Sequence, residues 1–421
     1  MRKATLGFLS LCFLSGLIAF SKTYSSSILQ DVQGLQEVSP RMIFPQRTLP
    51  ERQLIDAQVQ FGFKLFSTLE KTNQTQNIFI SPTSVALTLS MLYNGATGST
   101  QEEIAKTLNI KGVNIDTLNR ANHALETDLN THDSSNQFIR ANSLWAREGL
   151  SFRYQFLKDN RSYYQAKITN LNFASSEARG IINRWVTEET QGKIKEIINK
   201  TKGDDVLFLM NTAYFKGTWQ TGFDKTLSKK KPFHLINKSV KNYPFLSRQG
   251  TYNYTENSQL KALELPYGDG RFSLYVLLPK SENNLPNIVK ELTVKKWRKL
   301  LSKFQETEGL LELPRFTLNY EVDLTHSLKS LGLSTMFEPS QANFSALSSQ
   351  PTYVNGIKHQ TFLEINEQGI KSPSKDNLTI ETASVTNSQP QFSFVVDRPF
   401  FCIIQDNETG NILFMGMIFE P

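Results

Sequence analysis

A polar stretch from Glu367 to Gln391 lies between two apolar runs near the C-terminal end. Before it, Thr361-Phe362-Leu363-Glu364-Ile365 alternates apolar and polar side chains, the period of a half-buried strand. After it, Phe392 to Val396 and Phe400 to Ile404 read as buried strands. A compact domain seldom carries so long a segment without structure unless the segment has a task or is disordered. An exposed loop tied at both ends to rigid strands is suited to presenting residues to a partner.

The rest of the chain supplies a large core. Ile55, Val59, Phe63 and Phe66 share one helical face, so a helix is expected from Glu51. Asn77 to Ser81 reads as a short strand stopped by Pro82, followed by a buried helix from Ser84 to about Tyr93. Thr100 with Glu103 has capping-box spacing for a helix running through Leu108. Val206 to Phe215 is almost continuously apolar, which predicts a central strand covered on both faces. Phe272 to Leu278, ended by Pro279, is similar. A C-terminal hairpin is expected from Phe400 to Gln405 and Ile412 to Phe419, turning at Asn407 to Gly410. Helices dominate the first half and strands the second, so the predicted class is α+β.

Composition narrows the function classes. With 39% hydrophobic and 20% charged residues over 421 positions, the chain is globular rather than disordered. A net charge of +7 is modest for this length and demands no acidic partner. The densest basic run, Lys295-Lys296-Trp297-Arg298-Lys299 with Lys303, is amphipathic through Leu292, Leu300 and Leu301. Its plain reading is a solvated helix face; a polyanion site is the minority reading.

Met1-Arg2-Lys3 precedes an apolar run from Leu6 to Phe20, and Ala19-Phe20-Ser21 offers small residues before a cut. Residues 1–21 are therefore expected to be a secretory signal, with an uncleaved anchor as the competing reading. Residues 22–50, rich in Ser, Gln and Pro, read as a linker, and 51–421 as one domain. A cut leader removes Cys12 and leaves Cys402 alone, excluding an intrachain disulfide. Cys402 lies in an apolar run, as a small buried hydrophobe does. Secretion or another extracytoplasmic location follows from the leader.

Catalytic motifs are missing. The five histidines, His123, His132, His234, His326 and His359, have no metal-ligand spacing. There is no Gly-x-Ser-x-Gly elbow and no phosphate or dinucleotide glycine pattern. Glu102-Glu103 and Glu188-Glu189 read as capping or solvating carboxylates. No enzyme, metal, cofactor or nucleic-acid ligand is expected.

Several strings resemble one family. Asn77 to Ser84, then Met91-Leu92-Tyr93-Asn94-Gly95-Ala96, look like the start of a serpin core. Asn211-Thr212-Ala213-Tyr214-Phe215-Lys216-Gly217-Thr218-Trp219 looks like its long central strand. Asn366-Glu367-Gln368-Gly369 resembles the hinge entrance. Val396-Asp397-Arg398-Pro399-Phe400-Phe401 and Leu413-Phe414-Met415-Gly416 resemble the C-terminal signature. The resemblance spans residues 51 to 421. It implies three β-sheets, about nine helices and an exposed reactive loop. It also implies suicide inhibition of a serine protease by a monomer without stable membrane insertion. The loop is cut as a substrate, and its N-terminal arm inserts as a strand into the large sheet.

The resemblance assigns residues. Ser81, Ser84, Asn211 and His359 match a polar cluster under the sheet where it parts. Trp219 matches the aromatic at the loop entrance. Glu367 matches the acidic hinge residue and Arg315 its basic partner. Loop spacing from Glu367 places the bait bond at Ala383-Ser384, flanked by Thr382. A small apolar bait suits an elastase-like or subtilisin-like pocket.

The hinge departs from the family pattern of small residues. It runs Gly369-Ile370-Lys371-Ser372-Pro373-Ser374-Lys375-Asp376. In an inserted strand alternate residues, Ile370, Ser372, Ser374 and Asp376 among them, would face the core. A buried carboxylate at Asp376 is costly or must take a proton. Pro373 lacks the N–H that a central strand uses. Two expectations stand: an inhibitor, or a non-inhibitory relative that binds, carries or chaperones.

Overall fold

The computed structural model describes residues 49–73, 75–131, 136–281, 285–368 and 390–421. The leader over 1–21, nearly all of the linker over 22–50, and Gly369, Ile370, Ser372, Pro373, Asp376, Thr382, Ala383 and Ser384 lie outside the described residues.

Nine α-helices occur among the described residues. They are α1 Leu49–Thr72, α2 Pro82–Tyr93, α3 Gly98–Thr107, α4 Ile115–Thr131, α5 Tyr154–Tyr164, α6 Ala178–Glu189, α7 Leu285–Lys290, α8 Val294–Leu301 and α9 Thr325–Ser330. The strands are β1 Ile78–Ile80, β2 Gln137–Arg147, β3 Lys167–Leu171, β4 Leu207–Lys216, β5 Lys229–His234, β6 Val240–Glu256 and β7 Leu260–Tyr267. They continue with β8 Phe272–Pro279, β9 Gln305–Pro314, β10 Phe316–Asp323, β11 Gly356–Ile365, β12 Phe392–Val395, β13 Phe400–Asp406 and β14 Ile412–Ile418.

Five strands form one sheet in the order β10-β11-β4-β2-β3. Nine form a second hydrogen-bonded set, β1-β14-β13-β8-β7-β6-β9-β12, with β5 on β6. The expected second and third sheets are joined because β6 serves both. Its residues 254–256 pair with β7, and residues 245–254 with β9.

The Val206–Phe215 run becomes β4, between β2 and β11. Leu209 belongs to the main helical core, Met210 to a cluster with Trp185 of α6, and Phe215 to the core of the nine-stranded sheet. Apolar neighbours on both faces explain the missing polar alternation. Ile55, Val59, Phe63 and Phe66 of α1 are all buried, as expected. So is every residue of α2. The C-terminal hairpin forms as β13 and β14.

Several local expectations are corrected. Pro82 opens α2 rather than merely ending β1, since the first helical position needs no N–H. Thr97, not Thr100, is the N-cap of α3, and it makes no side-chain cap bond. Thr100 instead accepts the Asn343 N–H at 3.0 Å. Glu103 accepts from Ser334 N and Thr335 N, both at 2.9 Å, and so caps the short 3-10 turn at Thr335–Phe337. The capping-box spacing was real, but tertiary partners took both side chains. β12 is an edge strand with Phe394 buried and Ser393 exposed, not a buried strand, because among the described residues only β9 pairs with it.

Candidate functional site

The five-stranded sheet has a seam at its centre. β4 and β11 run parallel and pair directly, from Phe208 opposite Gly356 to Tyr214 opposite Phe362. Beyond that point both strands continue without pairing to each other. β11 stays paired with β10 up to Ile365 opposite Phe316. The polar stretch begins where β11 ends.

A polar cluster lies behind the seam. His359 on β11 is fully buried, and so are Ser81, Ser84 and Asn211. His359 Nε2 accepts the Ser81 N–H at 3.0 Å, which leaves the ring proton on Nδ1, 2.5 Å from Asn211 Oδ1. Asn211 Nδ2 donates to Ser84 Oγ at 2.6 Å and to Asn142 Oδ1 at 2.5 Å. Ser84 N donates to Ser81 Oγ at 3.4 Å, capping α2. Burial pushes the His359 pKa down to about 3, so the ring is neutral. The cluster ties β4, β11 and the start of α2 together without any charge.

The family resemblance named all four of these residues but missed Asn142, and missed a neighbouring tie from Thr361. Asn142 of β2 accepts from Asn211 and, at 2.9 Å, from Thr88 of α2. Thr361 donates to the Phe79 carbonyl at 2.5 Å. The available signal was an asparagine in step with buried Phe138 and Leu144 along β2, where a buried amide needs partners. On the opposite face Thr212 and Gln360 stand opposite each other across the seam. Thr212 Oγ1 and Gln360 Oε1 are buried there without a hydrogen-bond partner among the described atoms.

The loop exit is anchored at the top of the seam. Glu367 is 4% exposed, and its Oε1 accepts from Arg315 Nη1 at 3.2 Å and Ser228 Oγ at 3.1 Å. Ser228 is a second partner that the sequence did not reveal. The Glu367 carbonyl accepts the Phe223 N–H at 2.9 Å. Trp219 is buried flat against Tyr267, with ring centroids 4.3 Å apart. It donates from Nε1 to Asn366 O at 2.8 Å and from its backbone N–H to Gln368 O at 3.2 Å. Glu367, Arg315 and Trp219 thus meet where the chain leaves β11.

The chain returns through β12, which lies parallel to β9. Gly309 of β9 makes this possible. An added Cβ there would stand 2.3 Å from the Phe392 ring, which stacks on Tyr254 at 3.9 Å. No local sequence pattern marks that contact.

Cys402 is buried in the β13–β14 hairpin with its thiol pushed up to about 12 by desolvation, an inert hydrophobe as expected. In the basic run Trp297 is buried and donates to Gln405 Oε1 at 2.6 Å. Arg298 pairs with Asp56 and Lys296 with Glu291. The rest of the run is a solvated face.

Comparison with known proteins agrees with this architecture. The profile described as Serpin (serine protease inhibitor) matches residues 56–421. The chain belongs to the serpin family. Among its relatives, the leukocyte elastase inhibitor of Equus caballus is 32% identical over 382 residues, covering 88% of this chain and 100% of that protein. An uncharacterized serpin-like protein of Methanosarcina mazei is 30% identical, covering 86% of each. Among solved structures, native protease nexin-1 with heparin superposes with a TM-score of 0.80 at 26% identity, over 88% of this chain and 99% of that one. Tengpin, a thermophilic serpin in the native state, gives 0.79 at 28% identity, over 87% and 94%. This serpin therefore has the family's α+β fold and belongs among protease inhibitors.

Proposed function

We propose that this serpin is a suicide inhibitor of a serine endopeptidase with an elastase-like or subtilisin-like pocket. The observation that carries the reading is the seam: two parallel strands paired directly, unzipped at the top, with the loop leaving at that point. A strand inserted there gains ladder bonds on both sides. It also offers partners to Thr212 and Gln360. Neutral hydrogen bonds in the cluster behind the seam hold the closed arrangement in register until the loop is cut.

In this account the protease attacks the bond Ala383-Ser384, with Thr382 before it. The acylated loop then inserts, hinged at Gly369, Ile370, Ser372, Pro373 and Asp376. Insertion must outrun deacylation. The name of the leukocyte elastase inhibitor relatives supports a small-residue bait. The apolar Leu6–Phe20 run behind Met1-Arg2-Lys3 supports secretion or another extracytoplasmic location. Polyanion binding, the minority reading, would use the exposed lysines of the Lys295–Lys303 run.

A second reading, a non-inhibitory binding, carrier or chaperone serpin, is favoured by the hinge sequence. Asp376 would enter the core as a carboxylate at a cost of several kcal/mol. Pro373 forfeits a ladder bond worth about 1 kcal/mol. The test is incubation of the mature protein with an elastase, followed by a denaturing gel and mass spectrometry. A stable covalent band with cleavage after Ala383 is expected. Cleavage without a complex, repeated across a protease panel, sinks the inhibitor reading.

A further inference from the structure

Five large apolar side chains are well exposed in the described chain, and three of them, Leu227, Ile236 and Val240, fall on one stretch running through β5 into β6. The same stretch exposes Lys225, Lys229, Lys230 and Lys238. None of these four lysines pairs with a described acid, whereas Lys231 pairs with Glu312 and Lys241 with Glu420. Among the described residues β5 is an edge strand whose one strand partner is β6. Lysines and a proline on an edge strand prevent pairing with other chains, which accounts for Lys229, Lys230 and Pro232. It does not account for Ile236 and Val240, left in water together at the β5–β6 turn.

This hairpin adjoins both ends of the reactive loop. Ser228 touches Glu367 at the exit, and Lys225 lines the same recess as Arg315 and Gln368. The His234 N–H donates to the Asp397 carbonyl at 2.7 Å, where the chain has returned. A protein gripping the loop must come down beside the hairpin. Its strands span about 20 Å, whereas charges are screened beyond roughly 8 Å at physiological salt. Only groups on a partner's facing rim are felt.

We propose that the β5–β6 hairpin is a second contact for the target protease, selecting one whose surface beside the active-site cleft is acidic with an apolar spot. The proposal rests on the inhibitor reading and narrows its target. Lysines alone would equally hold a sulfated polysaccharide, but Ile236 and Val240 at the turn find no match there. Opposite charge beside the cleft speeds encounter, and apolar contact slows departure before acylation.

The test uses the full chain carrying Lys229→Glu with Lys230→Glu, and separately Ile236→Ser with Val240→Ser. Second-order rate constants are measured against two serine proteases of the same pocket class, one acidic and one basic at the rim, at low and physiological salt. The charge reversal should slow the acidic protease about tenfold or more and flatten its salt dependence. It should leave the basic protease unslowed and the complex-to-cleavage ratio unchanged. The serine pair should also slow the acidic protease. Equal rates for all proteins with both proteases overturn the proposal. So does a rate loss seen only when sulfated polysaccharide is added. If no covalent complex forms at all, the inhibitor reading fails separately, and the rate of loop cleavage by the same two proteases still reads the hairpin.

Discussion

His359 of β11 and Asn211 of β4 stand opposite each other across the seam, joined by a hydrogen bond of 2.5 Å from the ring Nδ1 to the amide oxygen. Both are fully buried, and the ring stays neutral down to about pH 3. In the unfolded chain the same ring takes a proton below about pH 6.5. Between these values the unfolded chain binds more protons, so this residue's share of stability is complete above pH 6.5 and is lost as pH falls toward 3. The loss is at most about 1.4 kcal/mol per pH unit. The urea midpoint of the native protein should fall faster on acidification than that of His359→Gln. A constant gap between the two at every pH would show that the ring does not titrate this way.

Asn211 serves three neighbours: His359, Ser84 and Asn142. Asn211→Ala strands His359 Nδ1 and Ser84 Oγ inside the core and leaves Asn142 Oδ1 with Thr88 alone, a cost of about 2–4 kcal/mol. Thermal unfolding should show a fall of several degrees, and inhibitory activity should decay faster on storage as the seam opens unprompted. An unchanged melting temperature and shelf life would detach this cluster from control of the seam.

Arg315 and Glu367 differ in exposure, with 48% of the arginine side chain in water and 4% of the glutamate. Arg315→Ala leaves a buried carboxylate with Ser228 as its remaining side-chain partner. The cost is about 1–2 kcal/mol, below that of a fully buried pair because the arginine is half solvated. The loop base should loosen, lowering both the melting temperature and the complex-to-cleavage ratio, with Arg315→Lys retaining most of both. Wild-type behaviour in the alanine variant contradicts a role for this pair.

Gly309 carries the Phe392 ring against bare backbone. Gly309→Ala should push β12 from β9, an overpacking cost of about 1–3 kcal/mol. With the return strand loosened, hydrogen exchange at 392–395 should rise and activity should fade sooner at moderate temperature. Unaltered protection across β12 would mean that the ring simply moves aside.

The hinge gives a gain-of-function prediction. Pro373→Ala with Asp376→Thr restores an N–H and removes a carboxylate from the inserting strand. The ratio of covalent complex to cleaved product should increase. No change in that ratio would remove the physical argument against this hinge.

Much of this was legible in the sequence. Hydrophobic period located α1, α2, β4, β8 and the C-terminal hairpin, because each buries a face whose spacing its residues must obey. Ser81, Ser84, Asn211, His359, Arg315, Glu367 and Trp219 came from family resemblance, and the fold brings them together at the seam and the loop exit. What stayed hidden depended on contacts between distant segments. Thr100 and Glu103 had ideal capping spacing, yet the 334–343 segment claimed both. Ser228 and Asn142 sit in ordinary strings and gain meaning only from Glu367 and Asn211. The union of two expected sheets through β6 depends on one strand changing partners along its length, which no local pattern records.

The central claim is that the loop inserts between β4 and β11. It is tested most directly by melting the protein before and after a single cut in the loop. Insertion adds a central strand to the five-stranded sheet, so the cut protein should melt far above the intact one. A cut protein that melts at the same temperature would contradict insertion and leave this serpin a binding protein.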